Sequence, residues 1–95
     1  MKIENLNDIQ ILIGQNSSEN WQLLDDNPSY YWFHLKSFPS CHIVVKTEDI
    51  DKETINYAAG LCKNNTKYKN LRNVKVNYTP ISNILKAEKE GSVYF

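Results

Sequence analysis

The chain has 95 residues with eleven basic and eleven acidic side chains, so its formal net charge is zero and its overall field points to no polyanionic partner. That length leaves room for one domain, residues 1–95, and excludes a second, since domains usually need about 100 to 150 residues. At 41% apolar and 12% aromatic the composition excludes a disordered tail and suits a single packed core.

Met1 to Asn7 carries Glu4 and no apolar stretch, so no secretory signal is expected. The longest apolar run, Cys41 to Val45, holds a histidine and falls far short of the roughly 20 residues of a membrane helix, so a cytoplasmic protein without membrane contact is expected. In that compartment Cys41 and Cys62 should remain thiols. Ile9 to Ile13 is β-branched and halted by Gly14 and Asn16, the pattern of a first strand. Trp21 to Leu24 makes a second short element before the breaker cluster Asp25 to Ser29.

Tyr30 to Lys36 and Cys41 to Lys46 read as an antiparallel pair joined by Ser37 to Ser40. A turn centred near Phe38 sets His34 opposite His42 and Trp32 opposite Val44. Alternation then places Trp32, His34, His42, Lys36 and Lys46 on one side of the sheet, with Tyr31, Phe33 and Leu35 on the other. Asp51 reads as an N-cap with Glu53 in the first turn, and Ile55, Ala58, Ala59, Leu61 and Cys62 form the apolar stripe of a helix ending near Asn64 or Asn65. Val74 to Asn77 returns as a strand stopped by Pro80, and Ser92 to Phe95 is expected to close the sheet. The fold class is therefore α+β, a mainly antiparallel sheet carrying one principal helix.

Cys41, Cys62, His34 and His42 are zinc-type ligands, but Cys41 and His42 are neighbours on a strand and point to opposite faces, so neither a metal nor another cofactor is expected. Ser40 with His42 is the sole local nucleophile-and-base pair, and no nucleophile elbow, phosphate loop or paired carboxylates accompany it, which argues against an enzyme. Charge distribution says more than net charge. Lys63, Lys67, Lys69, Arg72 and Lys75 fall in one acid-free segment, and the Trp32 face offers rings for stacking; together they suit a nucleic acid. The plainer alternatives are a solvated lysine loop and a tryptophan covered by the helix.

Several ordered motifs resemble the NFACT-R family. Trp32-Phe33-His34 and Ser40-Cys41-His42 are similar to its paired Trp-x-His and Gly/Ser-x-His strands. Gly14-Gln15-Asn16 with Glu19-Asn20 resembles its N-terminal loop, and Val74 to Pro80 with Asn83 and Lys86 resembles its Val-x-Val-x-Tyr-Thr-Pro signature. Within the family the chain looks most like small eukaryotic coiled-coil-containing members, whose helical tail is not expected here. The resemblance implies a non-enzymatic RNA-binding module associated with the ribosome or transfer RNA, as in ribosome quality control, with Trp32, His34, Ser40, His42, Tyr78, Asn83 and Lys86 at family positions. It leaves the oligomeric state open. Gln15 replaces a family arginine and Ala87 to Gly91 is acidic where the family is basic, so weaker affinity is implied. The alternative function is a protein-docking module that uses an exposed sheet edge.

Overall fold

Asn7 and Asp8 both adopt left-handed backbone, φ 50° and 67°, the geometry a two-residue hairpin turn requires and these residue types tolerate. They join β1 (Lys2–Leu6) to β2 (Ile9–Ile13), with Leu6 opposite Ile9. β2 is the strand its β-branched run predicts. β1 is invisible to periodicity because Ile3 and Leu6 do not alternate and the strand is largely exposed.

The computed structural model describes all 95 residues. Its main sheet has five strands, all antiparallel, in the order β1-β2-β4-β3-β5, where β3 is Tyr31–Leu35, β4 is Ile43–Val45 and β5 is Val76–Pro80. The predicted hairpin register holds, with Trp32 opposite Val44 and Phe33 opposite Ile43. Between the strands run α1 (Ser17–Gln22), a 3-10 turn at Leu23–Asp25, α2 (Lys52–Asn64) and a second 3-10 turn at Ile81–Asn83.

The two-residue alternation of the strands feeds two separate cores. Ile11, Ile13, Phe33, Leu35, Ile43 and Val45 face α2 and bury Ala58 and Cys62. α2 begins where expected: the Asp51 carboxylate accepts the Thr54 N–H at 2.8 Å, and Glu53 lies in the first turn. Its innermost line is Thr54, Ala58 and Cys62, while Ile55, Ala59 and Leu61 are only half-buried. On the opposite face Trp32 and Val44 are sealed under Leu23, Ile81 and Ile84.

The chain end departs from expectation. Val93–Tyr94 (β7) pairs with Leu85–Lys86 (β6) in a sheet of its own and does not close the main one. β5 instead runs through Pro80, its final residue, which lies opposite Tyr31 at the open edge, where a missing N–H is harmless.

Candidate nucleic-acid interface

The Trp32 side of the sheet is a covered face, which corrects the expected stacking platform. Trp32 is 0% and His42 3% exposed, because α1 with its 3-10 extension and the chain after β5 form a second layer above them. The indole N–H donates to His42 Nδ1 at 3.2 Å. That nitrogen therefore carries no proton, and the neutral ring holds its hydrogen on Nε2. Burial, with the neighbouring His34 ring adding to it, pushes the His42 pKa down to about 4. His34, half-buried, donates from Nδ1 to the Leu35 carbonyl at 2.7 Å, stacks on Trp32 and meets His42 edge-on; burial lowers its pKa as well.

Other family positions serve the fold. The Ser40 hydroxyl accepts the Leu35 N–H at 3.1 Å and donates to the Cys41 carbonyl at 3.0 Å, closing the β3–β4 loop, so it is not held by His42 as a nucleophile. Asn16 caps α1 by accepting the Glu19 N–H, and Glu19 returns the bond by accepting the Gln15 N–H. Asn20 accepts the His42 N–H at 3.2 Å. Its amide lies so close to Gly14 that a Cβ there would come within 2.2 Å of Asn20 Oδ1, which is why glycine is needed. Asn83 donates to Thr79 Oγ1 at 2.7 Å and fixes the turn after β5.

The predicted cations divide into two groups. Lys46 pairs with Asp26 at 3.6 Å and Lys86 with Asp25 at 2.8 Å, on the side of the breaker cluster, so their charges are locally offset. Lys36, Lys63, Lys67, Lys69, Arg72 and Lys75 form no ion pair. Three of these, Lys36, Arg72 and Lys75, line one open groove of about 410 Å³ with Ser37, Phe38, Leu71, Asn73 and Val74 and no acid.

This groove is held open by specific contacts. The Lys36 N–H donates to the Lys75 carbonyl at 2.8 Å, tying the end of β3 to the approach to β5. Phe38 packs on Tyr68 with ring centroids 4.6 Å apart, which anchors the basic segment to the β3–β4 loop. Ser37 and Asn73, at φ 71° and 59°, are left-handed residues lining the same groove. A second recess, lined by His34, Ser37, Phe38, Pro39, Asn77 and Phe95, adjoins it through Ser37 and Phe38.

Sequence reasoning missed Phe38, Leu71, Asn73 and Phe95. Leu71 and Phe95 are 45% and 68% exposed apolar side chains, a signal that only the folded chain supplies. Tyr78 is 46% exposed on the outer strand β5, its ring stacked on Phe33.

A five-stranded antiparallel sheet covered on both faces thus carries one acid-free groove lined by Lys36, Arg72 and Lys75. Residues 2–94 match the family described as the NFACT protein RNA binding domain, and the chain belongs to that family. It is 32% identical over 89 residues to the Rqc2 homolog RqcH of Bacillus subtilis, covering 87% of this chain and 15% of that protein. It is 36% identical over 84 residues to coiled-coil domain-containing protein 25 of Bos taurus, covering 80% of this chain and 40% of the relative. Among solved structures, the C-terminal part of the fibronectin/fibrinogen-binding protein from Streptococcus suis superposes with a TM-score of 0.90 at 26% identity, over 98% of this chain and 41% of that one. The chain thus spans less than half the length of these relatives. No helix is long and apolar enough to cross a membrane.

Proposed function

We propose that the chain binds RNA, without catalysis, through the groove between the β3–β4 loop and residues 71–75. The observation that carries this reading is the convergence of Lys36, Arg72 and Lys75 on one cavity with no ion-pair partner among them. Unpaired cations gain most from phosphate, because neutralising it releases condensed counterions. Lys63, Lys67 and Lys69 extend the positive surface along the same segment. Phe38, Leu71 and Phe95 replace Trp32 as apolar surface for an unstacked base. Association with the ribosome or transfer RNA, which the family resemblance implies, is the finer form of the same proposal.

Fluorescence anisotropy with a single-stranded RNA and with transfer RNA tests the assignment. Combined Lys36→Glu, Arg72→Glu and Lys75→Glu should weaken binding by at least about tenfold, as reversal of three phosphate contacts requires, with the circular dichroism unchanged. Lys46→Ala and Lys86→Ala should leave affinity as it is. Undiminished binding by the triple variant removes the groove from the account. Protein docking is the second reading, favoured by the open edge of β1, where Ile3 is 53% exposed. Nuclease-resistant capture of a partner that is lost on Ile3→Lys would support it.

A further inference from the structure

His34 and His42 together line a cavity of about 370 Å³, walled also by residues of α1, the β3–β4 loop and the loop between β6 and β7. That volume falls within the roughly 300 to 1,000 Å³ of small-ligand sites. Gly91, at φ 87°, brings the β6–β7 loop against α1, since a Cβ there would come within 2.9 Å of Ser17. Through His34, Pro39 and Phe95 the cavity adjoins the second recess, which in turn shares Ser37 and Phe38 with the cationic groove. Shared lining residues thus connect Lys36, Arg72 and Lys75 to the two imidazoles.

Each imidazole has one nitrogen engaged, which fixes what the other offers. His42 Nδ1 accepts the Trp32 indole N–H, so its Nε2 is a donor; His34 Nδ1 donates to the Leu35 carbonyl, so its Nε2 carries a lone pair. Neither Nε2 has a partner in the protein. His42 is only 3% exposed, yet no buried side-chain nitrogen or oxygen is left without a hydrogen bond. Its Nε2–H therefore still reaches solvent, and this is the one cavity that His42 lines. Burial lowers the pKa of both rings, so both are neutral at pH 7. A donor ring and an acceptor ring thus stand side by side, their centroids 4.9 Å apart.

We propose that this cavity receives one unpaired nucleobase of the RNA held by the groove, read along its Watson–Crick edge by His42 Nε2–H and His34 Nε2. The inference rests on the RNA-binding reading above and adds a base-binding site to it. Nucleobases present an acceptor beside a donor on that edge, which is how proteins read splayed-out bases. Pairing in a duplex consumes both groups, so only an unpaired base fits. An anion is disfavoured, because it would meet the His34 lone pair and Glu90, which lines the cavity beside Lys89. Phe95, 68% exposed and packed against Trp32 at 5.1 Å between centroids, adds a flat ring to the wall on which a base can stack.

Nitrogen-detected NMR of the isotope-labelled full chain at pH 7 supplies the test. The probes are single-stranded RNA heptamers of adenosine, cytidine and uridine, and an abasic heptamer with the same phosphates. The Nε2 resonances of His34 and His42 should shift with at least one base-bearing strand and stay still with the abasic one, which should bind about tenfold more weakly. Amides of Lys36 and residues 71–75 should shift with both kinds of strand. Groove shifts without movement of either Nε2 signal, or equal affinity for base-bearing and abasic strands, overturn the base site and leave the groove standing. Silence of groove and imidazoles alike with every strand removes the RNA-binding reading, and this site with it. His34→Phe keeps a ring against Trp32 and removes the acceptor, so the preference for a base-bearing strand should shrink to within about twofold; an undiminished preference overturns the role given to His34. The wild-type arm decides the matter even if the variant fails to fold.

Discussion

Trp32 carries the sharpest lesson at the level of single residues. Alternation assigns it correctly to the face away from Phe33, and its 0% exposure shows that this face is also interior. Sidedness is local information, whereas coverage depends on Leu23, Ile81 and Ile84 arriving from distant parts of the chain. A family signature residue here is an anchor for His42 and for the second core. Trp32→Ala should therefore cost about 3 to 5 kcal/mol, the usual range for a buried large aromatic, a large share of the roughly 5 to 14 kcal/mol expected for a domain of this size. Urea unfolding measures it; loss of RNA affinity with stability intact would contradict the assignment.

His42 makes stability depend on pH through the same contact. Folded His42 takes its proton only near pH 4, against 6.5 for the free side chain. Between those values the unfolded chain binds more protons, so stability is full above about pH 6.5 and falls as pH drops towards 4. His34, shifted in the same direction by burial, adds to the slope. The His42 part amounts to about 3 kcal/mol over the whole window. His42→Gln, which retains an acceptor for the indole N–H, should flatten denaturation-derived stability across this range; an unchanged slope would show that His42 does not carry it.

Among the elements, α2 is the one most fully written in the sequence. Asp51, Glu53 and the recurring Ala58 and Cys62 fix its start, polarity and inner line, because capping and 3.6-residue spacing act within a few residues. Asp51→Ala should lower stability by about 1 kcal/mol in urea titrations; no change would mean that the Thr54 N–H finds water at no cost. β1, β6 and α1 are not legible in this way, and for β7 the sequence shows the strand but not its partner. β1 depends on the left-handed Asn7-Asp8 turn, α1 buries no residue of its own, and β6–β7 is held to α1 by the Trp21 indole donating to the Ser92 carbonyl at 2.8 Å. Such elements are defined by their partners, so periodicity cannot find them.

For the molecule as a whole, the zero net charge conceals an uneven pairing of its cations. Lys46 and Lys86 are offset by Asp26 and Asp25, while Lys36 and the cations of residues 63–75 form no ion pair, three of them, Lys36, Arg72 and Lys75, sharing one groove. The charge-rich segment was visible in sequence as an acid-free run. Its alliance with Lys36, Phe38 and Ser37 was not, because it arises from a long-range backbone bond between Lys36 and Lys75 and the packing of Phe38 on Tyr68. Lys36, Lys67, Lys69, Arg72 and Lys75 are exposed, whereas Trp32 and His42 of the expected ring-bearing face are core. What the fold contributes is a groove lined by Lys36, Arg72 and Lys75 in place of a flat ring-bearing face.

Titration of an isotope-labelled sample with a short single-stranded RNA, followed by amide chemical shifts, tests this placement most directly. The largest shifts should cluster at Lys36, Ser37 and Phe38 and along residues 66–75, with β1 and the Asp25 to Ser29 turn silent. Shifts concentrated on β1, or spread over the α1 and β6–β7 layer while the groove remains unperturbed, would contradict it.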